Sequence, residues 1–391
     1  MIIDPAMEPS PAAAAKHRLL VLSPWGVAGG YSGPLVLQDR LMTALIDTNA
    51  FETTVLYRER GLAPVPDWIT EPVAVVSSPP HSFPKKEQIT WLLRTSCYVL
   101  GNRRRFDAVF LQGAYLLTCL PALFVGKGTK IIALPVVDGG DLPKEGSTAK
   151  SFLKRQLQRR LFGRPTLGIS LSSGIRNDFM GLGVPQGAAP LAYNLVDTEQ
   201  YRPVPGTRLV RADVFRMLFV GAVGRRKQPH ILIQACAELR DAGLDARATL
   251  VGPFEDSAYE EELKSLVGRL HLDAVVSFVG LSEYPLEYFQ NASVFVLPSR
   301  SEGMPGAMSE AMACGLPVVV SDVGAMREVV VASECGIVVP DFQVGSWTEA
   351  LKCLHHSQSR RREMSVNGRR FAEKHMAPDA LATTIRQFVE Q

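Results

Sequence analysis

The stretch Val294-Phe-Val-Leu-Pro-Ser-Arg-Ser-Glu302-Gly-Met-Pro-Gly306-Ala-Met-Ser-Glu310-Ala-Met-Ala-Cys-Gly315-Leu-Pro317-Val-Val-Val-Ser-Asp322 carries the most information in the chain. Its apolar opening, Val294–Pro298, reads as a strand buried on both faces. A loop bearing Glu302 follows, Gly303 to Gly306 lead into a helix over Ala307–Ala313, and Pro317–Ser321 reads as the next strand. Unpaired N–H groups at such a helix start suit an anion or sugar hydroxyls, and glycine lets a ligand approach the backbone. Glu310 lies about one turn into the helix, so the two carboxylates can bracket one polyhydroxylated molecule. On spacing alone, a solvated loop carboxylate and an ordinary surface helix residue fit these positions as well.

The same strand–helix rhythm extends in both directions. Downstream of residue 215 the strands read as Met217–Val223, Ala248–Gly252, Val275–Gly280, Val294–Pro298, Pro317–Ser321 and Gly336–Val339, with helices over Pro229–Ala242, Tyr259–Leu270, Ala307–Ala313 and Trp347–His356. Upstream they read as Arg18–Pro24, Thr53–Tyr57, Val73–Ser77, Ala108–Gln112, Lys130–Val137, Leu167–Ser172 and Ala188–Tyr193. Most are apolar throughout, as in parallel sheets covered by helices. Tyr201-Arg-Pro-Val-Pro-Gly-Thr and the polar residues up to Asp213 read as a linker. The expectation is an α/β chain of two Rossmann-like, doubly wound domains facing a central cleft, with ligands at the carboxyl ends of the strands. Residues 1–205 form the first domain (1–16 a loose leader), 206–375 the second, and 376–391 a final helix after a break at Pro378.

Length and composition agree. At 391 residues the chain suits two domains, and 46% hydrophobic with 21% charged residues describes a globular protein rather than a disordered one. The net charge of +3 is too even to require nucleic acid as a partner. It is unevenly placed: residues 1–205 hold 22 basic and 16 acidic side chains, the remainder 20 and 23. The basic half is where an anionic substrate or membrane surface is expected. Two stretches there, Lys85–Arg105 and Lys150–Arg164, combine cations with apolar residues; the second places Leu153, Leu157 and Leu161 on one helical stripe. Each reads either as a face for anionic lipid or as a core-facing helix with a solvated back. The six cysteines form no C-x-x-C pair and read as buried free thiols of a reducing compartment. The N-terminus lacks the pattern of a signal peptide, and Ala108–Gly126 is broken by Gln112, Gly113 and Pro121, which fits a strand and helix better than a membrane span. The localisation expected is cytoplasmic, with peripheral attachment to the inner face of the plasma membrane as an option.

Two glycine-containing loops complete the candidate site. Val220-Gly-Ala-Val-Gly224-Arg225-Arg226-Lys227-Gln-Pro229 joins a strand to three cations and a proline at the first helical position, a place suited to a diphosphate or, equally, a solvated basic turn. Pro24-Trp-Gly26-Val-Ala-Gly29-Gly30-Tyr-Ser-Gly33 follows the first strand without the G-x-G-x-x-G spacing of a dinucleotide fold, which makes an NAD enzyme a weak competitor.

The 294–322 stretch resembles the nucleotide-sugar signature of the family-four retaining glycosyltransferases (group 1), which adopt the GT-B fold: Glu, seven residues, Glu, then Ala-Met-Ala, a glycine and Pro-Val-Val. The resemblance implies that Glu302 contacts the transferred sugar, that Gly303, Met304 and Pro305 offer backbone groups, and that Glu310 accepts hydrogen bonds from ribose hydroxyls. Lys227 matches the family's phosphate lysine. The family arginine directly follows the first glycine, where Ala222 stands, so Arg225 or Arg226 is the substitute. Gly29 and Gly30 would face the donor phosphate, and Asp138 stands where many relatives carry a histidine beside the sugar, although an Asp-Gly turn explains it equally. The implied reaction moves a hexose from a nucleoside diphosphate sugar, UDP- or GDP-linked, to a hydroxyl of a glycan or lipid-linked acceptor with retained configuration. It implies no metal and no cofactor, and a place in surface polysaccharide or glycolipid synthesis. The resemblance also implies that the last helix crosses back to the first domain. A non-catalytic GT-B partner that binds nucleotide sugar or another subunit is the alternative, followed by an epimerase or phosphorylase of related fold.

Overall fold

A computed structural model describes residues 16–27, 33–61, 64–77, 83–135, 149–204, 214–282 and 284–391. Its first half runs β1 (His17–Ser23), α1 (Gly33–Asp47), β2 (Phe51–Glu59), β3 (Glu71–Ser77), α2 (Lys85–Gly101), β4 (Ala108–Gln112), α3 (Leu116–Ala122), β5 (Lys130–Leu134), α4 (Ala149–Phe162), β6 (Thr166–Gly168) and α5 (Ser173–Gly181). The second half runs β7 (Phe215–Val220), α6 (Pro229–Asp241), β8 (Ala246–Val251), α7 (Ser257–Arg269), β9 (Val276–Gly280), α8 (Leu286–Asn291), β10 (Val294–Leu297), α9 (Gly306–Ala313), β11 (Val318–Ser321), α10 (Met326–Ser333), β12 (Gly336–Val339) and α11 (Val344–His356). Two helices, α12 (Gln358–His375) and α13 (Pro378–Glu390), follow.

The strands form two six-stranded parallel sheets, ordered β3-β2-β1-β4-β5-β6 and β12-β11-β10-β7-β8-β9. In each, the first strand lies at the centre and the chain winds outward on one side before crossing to the other. The crossing points fall between β1 and β4 and between β7 and β10, where connections leave in opposite directions and a crevice opens at the strands' carboxyl ends. In the second sheet this puts residues 221–228 side by side with residues 298–305.

Burial explains the apolar strands. Leu19 to Leu22 of β1, Val109 to Leu111 of β4 and Val294 to Leu297 of β10 have no exposed surface, each such side chain contributing about 1.5–3 kcal/mol. Local signals set the helix starts: the Ser172 hydroxyl accepts from Ile175 N (3.1 Å), Asp256 accepts from Ala258 N (2.9 Å), and Pro229 and Pro378 open α6 and α13.

Ala188–Tyr193 is not a strand. A single 3-10 turn, Gln186–Ala188, precedes Pro190, which has no N–H to give, and one bridge between Ser170 and Leu191 is all that forms. Lys130–Val137 and Leu167–Ser172 are also shorter than expected, as β5 and β6, whereas β2 runs past Tyr57 to Glu59 and buries Arg58. The α4 stripe splits: Leu161 is buried and Leu157 half-buried, but Leu153 is 72% exposed. Cys97 is exposed and Cys353 half-exposed, contrary to the expectation of buried thiols; the other four are buried. The leader up to Ala15 and residues 205–213 of the linker lie outside the described residues. α13 packs on α1, and Lys130 Nζ donates to the Val389 carbonyl (2.8 Å). No helix among the described residues is long and apolar enough to cross a membrane.

Candidate active site

The two loops beside the β7–β10 crevice are joined by their own backbone. Arg300 N donates to the Arg226 carbonyl (2.8 Å), and the Gln228 amide, oriented so that both ends are satisfied, bridges the Pro298 carbonyl and Arg300 Nε. This brings three of the residues expected at the site onto one atom. Glu302 Oε1 accepts from Lys227 Nζ (2.6 Å) and Ser299 Oγ (2.9 Å) and forms an ion pair with Arg226 NH1 (2.9 Å), which donates to the Ser301 carbonyl. Glu302 and Lys227 are 10% and 12% exposed, so the charges act in a partly desolvated place where each is worth more than in water. One carboxylate faces two cations, and the surplus positive charge suits an anion. Arg225 turns the other way: it pairs with Glu262 and Asp256 of the α7 region and stacks over Tyr259 (4.7 Å), well exposed. Of the two candidate arginines, Arg226 is the one beside Glu302.

The turn into α9 is held from both sides. Ala325 N donates to the Gly303 carbonyl (2.8 Å), which in a trans peptide aims the Met304 N–H the opposite way. Asn194 of the first half donates from Nδ2 to the carbonyl of buried Met304 (2.9 Å). Pro305 has no N–H, and its carbonyl accepts from Met308 N (3.1 Å), so it gives the site shape rather than a bond. Gly324, at φ +56°, lies against this turn: a Cβ there would sit 2.1 Å from the Glu302 carbonyl oxygen and 2.4 Å from that of Gly303. Sequence reasoning passed over Gly324 and Ser299. A glycine just after a strand was the available signal for the first; nothing local marks the second.

Glu310 does not share a partner with Glu302. Its Oε1 accepts from Arg40 NH2 of α1 (2.7 Å), and the Tyr201 hydroxyl lies alongside. Burial raises the Glu310 carboxyl above the ordinary carboxylate range, and Arg40 and Tyr201 oppose that shift. Burial, with Glu310 alongside, also raises the Tyr201 phenol. A cavity of about 610 Å³ opens beside Arg40, between α1, Asp197–Gln200 and the start of α13; its wall carries Asp39, Asp47, Asp197 and Asp379, the wrong charge for a diphosphate. A further contact between the halves joins Glu328 of α10 to Ser173 N at the start of α5 (3.0 Å) and to the Tyr193 hydroxyl (3.1 Å), whose pKa burial and Glu328 push up to about 12. Gly29, Gly30 and Asp138 lie outside the described residues. Among the described residues no group of three His, Cys, Asp or Glu side chains is placed to hold a metal ion.

Residues 208–371, which contain both loops, match the family of glycosyl transferases group 1. The second half is thus similar to a group 1 glycosyltransferase domain. A D-inositol 3-phosphate glycosyltransferase of Arthrobacter sp. is 31% identical over 212 residues, covering 53% of this chain and 49% of that protein. The chain thus spans about half the length of the curated relatives it matches. Solved structures extend the likeness in fold to the first half. Sucrose-phosphate synthase from Thermosynechococcus elongatus superposes with a TM-score of 0.72 at 18% identity over 96% of this chain and 99% of its own. Anabaena HepE in complex with UDP gives 0.73 at 16% identity over 95% and 99%. HepE has also been solved with UDP and glucose and with UDP-glucose. The two parallel sheets of this chain are therefore the two halves of a GT-B fold.

Proposed function

We propose that this protein transfers a hexose from a nucleoside diphosphate sugar, UDP- or GDP-linked, to a hydroxyl of a glycan or lipid-linked acceptor, with the anomeric configuration retained. The observation that carries this is the convergence of Lys227 and Arg226 on Glu302 at the entrance to α9, inside the group 1 segment. In the proposed reaction the bond from the sugar's anomeric carbon to the diphosphate breaks, and the diphosphate leaves with the electron pair. The acceptor oxygen bonds to that carbon from the same face, and its proton passes to the departing phosphate oxygen. Charge develops on the leaving oxygen, where Arg226, Lys227 and the Met304 N–H stabilise it. Glu302 orients the sugar, and Glu310 takes the nucleoside hydroxyls. UDP is favoured by the nucleotide bound to the structurally similar HepE.

An acceptor at a membrane surface fits the first half. α2 buries Trp91, Thr95 and Val99 on one stripe and exposes Ile89, Leu93, Cys97 and Leu100 on another, among the exposed cations Lys85, Lys86, Arg94, Arg103 and Arg104. At the start of α4, Phe152 and Leu153 are exposed as well.

Calorimetry with UDP, GDP, ADP and TDP tests the donor site, and release of the diphosphate from the matching sugar nucleotide tests turnover. Binding of one diphosphate with turnover supports the enzyme; binding without turnover would favour a non-catalytic partner, and no binding by folded protein would refute the donor site.

A further inference from the structure

The two halves of the chain meet at Glu310. Arg40, in the middle of α1, forks between the Leu195 carbonyl (2.7 Å) and Glu310 Oε1 (2.7 Å), and its guanidinium lies 5.6 Å over the Tyr201 ring. The Arg40 and Glu310 side chains are only 16% and 14% exposed. From α12, packed along α9, Arg369 donates to the carbonyls of Tyr201 (2.8 Å) and Ala313 (2.9 Å) and pairs with Glu373, while the buried thiol of Cys314 lies near the Tyr201 hydroxyl. An ionised carboxylate offers about four acceptor positions, so the bond from Arg40, with the Tyr201 hydroxyl alongside, leaves capacity for a ligand's hydroxyls.

We propose that Arg40 is a positioning residue of the donor site, holding the Glu310 carboxylate ionised and in one orientation, so that nucleoside affinity in the second half depends on a side chain of the first. The proposal rests on the assignment of Glu310 to nucleoside hydroxyls. The physical reason is the opposition at Glu310: burial favours its neutral form, and Arg40 is the leading charge against it. A neutral carboxyl, free to turn, gives up the charge-assisted bonds that make a carboxylate a strong acceptor. The planar fork matters too, because lysine reaches one of the two oxygens but not both. Linkage makes the effect reciprocal: a nucleotide that engages Glu310 strengthens the seating of α1.

The test is calorimetric titration with UDP and GDP of the parent protein, Arg40→Gln, Arg40→Lys, Glu310→Gln and the double variant Arg40→Gln/Glu310→Gln, between about pH 6 and about pH 8. Arg40→Gln is expected to weaken binding by about tenfold near pH 6. That deficit should shrink as pH rises, because the unpaired Glu310 then ionises without help. Arg40→Lys should remove most of the pH dependence. In the Glu310→Gln background the Arg40 change should alter affinity by less than about twofold. Equal binding by Arg40→Gln and the parent overturns the proposal, as does a loss of the same size in both backgrounds. Should Arg40→Gln fail to fold, comparison of the double variant with Glu310→Gln decides alone, since neither buries a lone carboxylate; a further loss in the double variant overturns the proposal. A parent that binds neither nucleotide, or a Glu310→Gln protein that binds normally, overturns the assignment of Glu310 and this proposal with it. Normal binding by Arg40→Gln alone overturns only the positioning role.

Discussion

Replacing Gly324 by alanine should unseat the Glu302 turn without touching a charged group. The added Cβ would stand 2.1 Å from the Glu302 carbonyl oxygen, and ordinary contact begins near 3.4 Å. Backbone on one side or the other must therefore shift by about 1.3 Å, against an interior packed like an organic crystal. Three costs add. Alanine at φ +56° costs about 1–2 kcal/mol, overpacking about 1–3 kcal/mol, and the bond from Ala325 N to the Gly303 carbonyl, if lost, about 1 kcal/mol. A total of about 3–6 kcal/mol would lower the melting temperature by roughly 6–24 °C for a unit of 150–250 residues. A shift of this size at a binding loop can cost about a hundredfold in function, so UDP or GDP affinity should fall as well. Thermal unfolding by circular dichroism, read beside calorimetry, is the assay. A variant that melts within about 2 °C of its parent would refute the reasoning, because the carbonyls of Glu302 and Gly303 would then have room that the packing denies them.

The other predictions concern charge. Lys227→Met should weaken diphosphate binding by about ten- to a hundredfold, whereas Arg225→Ala, whose partners lie in the α7 region, should change it by less than about threefold; the same calorimetry separates them. His230, hydrogen-bonded to the Tyr259 hydroxyl (2.9 Å), has its pKa lowered by burial and then by Arg300 and Arg225. Its contribution to stability is complete above the ordinary histidine pKa of about 6.5 and is lost as pH falls through the lower folded value. Melting curves across that range should therefore fall more steeply for the parent than for His230→Gln. Flotation with anionic liposomes at low salt should lift the protein, with Leu93→Glu and high salt each reducing it; absence of binding at low salt would dispose of the membrane face.

Much of the fold was legible because parallel strands buried on both sides are written as unbroken apolar runs, and β4 and β10 begin where those runs begin. Ala188–Tyr193 misled for a physical reason: its composition suits a strand, but Pro190 supplies no donor and β6 beside it is only three residues long. Lys227 and Glu302 were legible because each sits in a loop that follows a strand and opens a helix. Their mutual contact was not, since nothing in a sequence says that residues 75 positions apart share an oxygen. Arg40 is the extreme case, 270 positions from Glu310 and marked by no motif. On α2 the apolar residues belong to two stripes, one inward and one outward, and a count of hydrophobic residues cannot divide them; accessible surface does.

α13 lies on α1, and Val196 N donates to the Met376 carbonyl (2.9 Å), so the backbone returns to the first half close to where it leaves it. Two chain segments bonded to each other at Val196 and Met376 act mechanically as a strap hinge rather than a swivel. Bending about the line between them is easy, but twisting one half against the other stretches a segment and breaks the bond that joins them. Any opening of the cleft should then follow nearly one angle, and the Arg40–Glu310 and Glu328–Ser173 contacts would part and re-form together, returning the two rims to the same register at each closure.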